Sequence, residues 1–553
     1  MRHASSFPVR CIALACLAGL SMQARADAVT DWNTVATELV VEAKLGTPPA
    51  NRLMAMVQTA VHDAVAAALA QQPGDSTAAA AAVAAANRAT LARLMPAQAA
   101  AIDAAYQAAI GPLADGPAKA SGIAAGEQAA ARVLTWRADD GAGAPDRYRP
   151  HALPGAYVPT AGVAGASWGQ RTPWLMDSPS RFRPGAPPAL GSTQWARDYN
   201  EIKAMGSKAS TQRSAEQTEV ARFWEYSLPP IYHALVRSAA EAPGRGVAQN
   251  ARLFAAASQA MDDALIAVFD AKYHYGFWRP VTAIRNGDLD DNPATELDAG
   301  WTPLIDNPMH PEYPSAHSIL AGALAEVLRA EFAGARMPAL QTRSPSAKNA
   351  VRRWDSVDAF AREVGDARVW EGIHFRHSTE VGVAMGRQIG ALAARQVAQA
   401  PASAGVPSAL VPQQAKLVER LAARGVQIYE CRADAAATTG AQWVFVAPQA
   451  SLFDGGGAVV GLHDAGPRWE AADGSRIVGA VKARADAPQA GAIPWLLLSA
   501  RSVGGPGRFA AVTDVQRVNT SGGTPPQRPC DKASVGQTDR VPYTADYLLY
   551  AAS

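Results

Sequence analysis

The chain has 553 residues, 48% of them hydrophobic, which is enough to build more than one core. Its 51 basic and 49 acidic side chains give a formal charge of +2, so nothing in the balance favours a nucleic-acid partner. Four cysteines are present, and their placement bears on the compartment.

Residues 1–26 read as a secretory signal peptide. MRHASSFPVR carries positive charge, CIALACLAGL is a short apolar run, and Ala24-Arg25-Ala26 or Ala26-Asp27-Ala28 offers small residues for cleavage. Removing this leader deletes Arg2, Arg10 and Arg25 and no acid, which turns the formal charge from +2 to −1. It also deletes Cys11 and Cys16, and in an exported chain, periplasmic or extracellular, the remaining Cys431 and Cys530 are expected to form a disulfide. No later apolar run is expected to be long enough to span a bilayer.

Residues 27–400 are expected to be mostly α. Leu53, Met56, Val57, Ala60 and Val61 mark one helical stripe, and the Ala-rich run 77–86 fits a helix as well. Residues 140–195, rich in Gly and Pro with several Trp, read as a long irregular excursion over the bundle. A second stripe of Leu253, Phe254, Ala257, Met261, Leu265, Val268 and Phe269 runs directly into Lys272.

From there the chain lays out a set of groups suited to a tetrahedral oxyanion. Lys272 and Arg279 are seven residues apart in KYHYGFWRP, Ser315 and His317 sit together in YPSAHS, and Arg368 precedes His374 by six in ARVWEGIHF. A dense anion in a protein interior needs fixed positive charge on several sides, with guanidinium groups giving paired donors and Lys a point charge. A Ser hydroxyl at a helix start and the backbone N–H groups beside it complete such a cradle. One imidazole is then free to attack or ligate the central atom and the other to move protons. Arg368 and His374 are expected on nearly the same side of a helix, after two turns. Taken singly, each Lys, Arg or His is more often a surface charge or a structural group, and the joint spacing is what points to a site.

At these residues the chain resembles the vanadium-dependent haloperoxidases and the related type 2 acid phosphatases (the PAP2 superfamily), whose pattern runs K-x6-R-P, then P-S-G-H, then S-R-x5-H-x3-D. The likeness extends through NRLMAMVQTAVHDAV, STQRSAEQTEVARFWEY and NPMHPEYPSAHS, which look like the bacterial haloperoxidase-like branch. The resemblance implies a helical bundle. It makes His374 the axial ligand of vanadate, or the nucleophile toward a phosphate ester, and His317 the acid–base group. Lys272, Arg279, Arg368, the Ser315 hydroxyl and the Ala316 N–H would hold the equatorial oxygens. His310 falls seven residues before His317, where the resemblance links His to bromide. The implied partners are hydrogen peroxide and a halide, or a phosphate ester, and a homo-oligomer is compatible with the sequence.

The chain departs from the pattern at three positions. Ala316 replaces Gly and Ala367 replaces Ser. Ser378 stands where an Asp would orient the ligand His, so that carboxylate is missing or comes from elsewhere, with Glu225 in FWEYS as a candidate.

PASAGVPS, residues 401–408, reads as a linker. Residues 409–553 then carry short β-rich runs such as VQIYECR, WVFVAP, RIVGAVKA and IPWLLLSA between Gly, Asp and Pro turns, which fits an all-β sandwich or barrel. GVQIYECR, HDAGPRWEAADGS and VPYTADYLLY resemble a bacterial family of unknown function (DUF3455). His463, Asp464 and Glu470 in this part are expected in surface turns. Three functions fit: a vanadate-dependent peroxidase favouring bromide, an exported phosphatase, or a non-catalytic binding protein with a vestigial oxyanion site.

Overall fold

The computed structural model describes residues 27–399 and 407–552, apart from 160–161, 334, 413–414, 436, 438, 455–457, 488–490 and 527. The expected leader and residues 401–406 of the expected linker lie outside the described residues. Helices run from Ala28–Glu42 to Arg376–Gln399, with one short hairpin, Leu340–Ser344 paired to Ala350–Trp354; strands follow from Ala415–Ala433 to Thr538–Ala552. A mostly α region followed by an all-β region is the architecture the sequence pointed to.

The helix Val247–Tyr275 is the spine of the bundle. It is buried along nearly its whole length and packs on Thr47–Gln71, Ala316–Glu331 and Arg376–Gln399. Thr47–Gln71 corrects the expectation about spans, since by length and composition it could cross a membrane. Yet 83% of its apolar window is buried within the structure, which is how a core helix behaves.

Two acids on the spine pin the irregular excursion. Asp262 receives both terminal nitrogens of Arg171, at 2.8 and 3.2 Å, and the indole N–H of Trp174 at 2.8 Å. Asp263 accepts the backbone N–H groups of Trp174, Leu175 and Met176 at 2.7–3.2 Å. These loop N–H groups would otherwise be buried without partners, so the loop's geometry depends on the helix that ends at the first site residue.

Ala316–Glu331 and Arg376–Gln399 approach closely because small residues line their seam. A Cβ on Gly322 would come within 2.3 Å of the Val383 carbonyl oxygen, and one on Gly386 within 2.2 Å of that of Ile319. This contact fixes the two helices whose N-terminal ends carry or adjoin Ser315, His317 and His374.

The β region is a closed barrel of eight strands, each antiparallel to the next in chain order, with Ala415–Ala433 closing on Thr538–Ala552. Alternation is visible in the last strand, where Tyr543, Ala545, Tyr547 and Leu549 are buried and face the lumen. His463 corrects its assignment to a surface turn. It is buried, its Nδ1 lies 2.8 Å from the Arg468 carbonyl oxygen, and its ring stacks on Trp469 at 4.5 Å. Asp464 and Glu470 lie in strands as well.

Cys431 and Cys530 are bonded, with Cα atoms 5.7 Å apart and a sequence separation of 99. A loop of that length gives about 4 to 5 kcal/mol in the chain-entropy model, before any strain. A chain lacking residues 1–26 should show no titratable thiol when unfolded without reductant. Replacing both cysteines by Ala should lower the barrel's unfolding midpoint; an unchanged midpoint would contradict the stabilising role.

Candidate functional site

The three cations arrive from three chain turns. Lys272 sits in the last turn of Val247–Tyr275, and Gly276, left-handed at φ 55°, ends that helix and bonds back to the Lys272 carbonyl at 2.8 Å. The reversal leads to Arg279, the N-cap of Pro280–Arg285. Arg368 lies near the end of Val357–Trp370. All three side chains are buried.

Each cation is held by groups that do not use up its donors. Lys272 Nζ donates to the carbonyls of Pro311 and Glu312 at 2.9 and 2.8 Å. Arg279 donates from Nε to the His310 carbonyl at 3.0 Å and from Nη1 to that of Ile373 at 2.9 Å. Arg368 Nη1 donates to the Trp224 carbonyl at 2.8 Å and pairs with the buried Glu371, while its Nε has no partner. Burial pushes Lys272 well below the usual lysine range, with Arg279 beside it adding to the effect.

His374 meets this cluster. Its Nε2 lies 3.3 Å from Arg279 Nη1, and its Nδ1 lies 2.8 Å from Glu312 Oε1. The same Oε1 accepts the Phe375 N–H at 3.0 Å, so it acts as an acceptor toward His374 too. That assigns the ring proton to Nδ1 and leaves the Nε2 lone pair facing the cations. Burial first, then the charges of Arg279 and Lys272, keep the ring's pKa well below the usual histidine range. Glu312 is itself pushed up to about 7 by burial, with Lys272, Arg279, the Phe375 N–H and the Ser378 hydroxyl pulling the other way.

Glu312 is the group that the sequence reading missed. Glu225 does not take that role: it caps the helix Ala215–Trp224, is partly exposed and pairs with Arg222 at 3.1 Å. Helical phase does not bring Arg368 and His374 together either. The helix stops at Trp370, Gly372 turns the chain at φ 82°, and the His374 N–H folds back onto the Arg368 carbonyl at 3.3 Å.

Ser315 is the N-cap of Ala316–Glu331 and is fully buried. Its hydroxyl accepts from Ser318 Oγ at 2.9 Å, and its own N–H reaches the Ser378 carbonyl at 3.1 Å. Ala316 and His317 open the helix, so their N–H groups have no carbonyl partner within it. His317 Nε2 is buried without a partner, and burial followed by Arg368, Lys272 and Arg279 keeps the ring neutral. His310 Nδ1 lies 3.1 Å from Arg279 Nη2, and its ring meets Phe269 edge-on at 5.1 Å. Ala316, His317 and His310 are the partly exposed members of the set, which places the way in on their side.

The structure therefore gathers Lys272, Arg279, His310, Ser315, Ala316, His317, Arg368 and His374 into one site. His274 is exposed, and His377 bonds Gln194 at 2.9 Å and stacks on Tyr313, so neither joins it. A cleft of about 680 Å³ lined by Thr34, Glu38, Arg237 and Arg353 among others lies elsewhere and contains none of these residues.

Residues 252–402 match the family described as VCPO second helical-bundle domain, and residues 412–551 match Protein of unknown function (DUF3455). The vanadium chloroperoxidase of Curvularia inaequalis is 29% identical over 151 residues, covering 23% of this chain and 24% of that protein. The chain thus spans about a quarter of that curated relative. Among solved structures, a bacterial vanadium-dependent iodoperoxidase shares the fold at TM-score 0.56 and 24% identity, covering 67% of this chain and 97% of that one. A bacterial vanadium-dependent chloroperoxidase does so at TM-score 0.53 and 19% identity, covering 65% and 94%.

The Glu312–His374 bond is open to test. Glu312→Gln keeps the shape but weakens the hold on the imidazole, so vanadate affinity should fall by about 10- to 100-fold. Phosphate affinity, which depends on the cations, should change little. Equal losses for both anions in titration calorimetry would contradict this division.

Proposed function

We propose that this chain, whose residues 252–402 match the VCPO second helical-bundle domain, is a vanadate-dependent haloperoxidase that oxidises bromide with hydrogen peroxide. The observation that carries the reading is the fixed Nε2 of His374 beside three buried cations.

The residues fit vanadate by their own chemistry. Arg368 Nε and His317 Nε2 are buried without partners, the first-turn N–H groups of Ala316 and His317 are free of the helix ladder, and three cations face two carboxylates. One tetrahedral oxyanion would complete the charge balance. Lys272, Arg279, Arg368, Ser315 and the Ala316 N–H would hold its oxygens and His374 Nε2 its central atom. When bound, vanadate supplies Lewis-acid activation of hydrogen peroxide toward a halide.

The chain's part is binding, orientation and proton handling. Glu312 holds His374 in one tautomer, Glu371 aims Arg368, and His317, neutral and close to the cations, can take or return a proton at Nε2. His310 stands on the partly open side against Arg279, where an uncharged imidazole can donate to a halide, and this supports the bromide assignment. A phosphatase would use the same pocket with His374 Nε2 as nucleophile. Finding the carboxylate in Glu312 removes one reason to regard the site as vestigial.

Export is part of the proposal, resting on residues 1–26 and supported by the Cys431–Cys530 bond. So is a border at residues 401–408, with the helical part carrying the chemistry and residues 409–553 an accessory role.

Vanadate-loaded protein should brominate a phenolic probe with peroxide, excess phosphate should suppress this, and His374→Ala should abolish it. Lys272→Ala or Arg368→Ala should weaken anion binding by about 1.5 to 3 kcal/mol each. Robust phosphate-ester hydrolysis inhibited by vanadate, without halogenation, would replace the peroxidase by the phosphatase.

A further inference from the structure

The barrel lumen contains an arrangement that the helical site does not explain. Arg517 faces inward, directly opposite Tyr547 on one neighbouring strand and Leu496 on the other. Its Nε and Nη2 both donate to the Pro494 carbonyl, at 3.1 and 2.8 Å, and no carboxylate among the described residues pairs with it. Arg517 is partly exposed, and an inward-set guanidinium without a counter-charge keeps its capacity to hold an anion.

Around it lie further groups without partners. Tyr543, Tyr547 and Gln427 are 3%, 1% and 2% exposed, and none of Tyr543 Oη, Tyr547 Oη and Gln427 Nε2 has a hydrogen-bond partner. They belong to one neighbourhood: the Tyr543 hydroxyl lies within interaction range of Tyr547 and Gln427, and that of Tyr547 within range of Arg517, although none of these approaches has the geometry of a well-formed hydrogen bond. Buried polar groups are normally satisfied, so several orphaned donors beside an unpaired guanidinium are an unusual concentration. Apart from His463, whose ring packs on Trp469 and Tyr547, the rest of the lining is apolar or aromatic. Trp469 meets Tyr547 edge-on at 5.4 Å, and Leu496 flanks Arg517. Inward positions also carry small side chains, Ala423, Ala450, Ala471 and Ala545. An eight-stranded barrel is at the size where the lumen is either filled by side chains or holds one small ligand.

We infer that residues 409–553 form a binding site for a small organic carboxylate with an apolar body, its carboxylate held by Arg517, Tyr543, Tyr547 and Gln427. The donor set matches an acceptor-only head group, and the aromatic wall suits the remainder. The barrel then has a ligand of its own, on the same chain as the oxyanion site.

Calorimetric titration of the full chain with benzoate, and with uncharged benzamide, tests this. Benzoate should bind saturably and benzamide should not. Tyr543→Phe and Tyr547→Phe remove hydroxyls that make no well-formed bond within the chain, so the fold should be retained while each weakens benzoate binding by about tenfold. Arg517→Gln should abolish it. Absence of saturable binding at millimolar benzoate, or equal affinity in the folded Tyr543→Phe/Tyr547→Phe double variant, would overturn the assignment and leave the lumen as a hydrated core.

Discussion

Three basic side chains sharing one buried pocket form the constraint around which the helical part is arranged. Each buried ion costs several kcal/mol unless well compensated, and cations near one another add repulsion. The fold compensates with backbone carbonyls from Pro311, Glu312, His310, Ile373 and Trp224, and with two buried carboxylates. Carbonyls stabilise the cations without neutralising them. The pocket therefore keeps a net demand for negative charge, which a tetrahedral oxyanion meets.

Rigidity follows from where the residues are mounted. Lys272 ends the most buried helix of the bundle, Ser315 starts another, and His374 lies in a reversal fixed by Gly372 and by the Phe375 N–H bond to Glu312. The tight seam at Gly322 and Gly386 holds the last two helices in register, and the excursion pinned by Asp262 and Asp263 covers the bundle. Side chains set on packed elements retain the close placement that anion recognition needs.

Much of this was legible in the sequence because spacing survives folding. The K-x6-R, P-S-x-H and R-x5-H runs marked the residues that the structure brings together, and alternation in runs such as YTADYLLY marked the strands. Less local relations were not legible. Glu312 and Glu371 read as ordinary acids until the chain folds, since a carboxylate's partner is set by tertiary contacts. Glu225 was a reasonable substitute by type but belongs to a helix end that stays at the surface. The phase argument for Arg368 and His374 failed because six residues advance a helix by about 600°, roughly 120° short of two turns, and because the helix ends at Trp370 before Gly372 turns the chain. Barrel closure depends on the pairing of the first and last strands, from Glu430 opposite Thr538 to Ala415 opposite Ala552, and His463 was hidden in a segment with turn-like composition.

The central claim is that His374 Nε2 and the three basic side chains form one oxyanion site in which Nε2 would hold the central atom. A crystal structure of the chain soaked with vanadate tests it most directly. The account predicts vanadium at bonding distance from His374 Nε2, with oxygens contacting Lys272, Arg279, Arg368, Ser315 and the Ala316 N–H. Vanadate bound away from Nε2, or no vanadate in this pocket at concentrations that saturate the protein in solution, would contradict it.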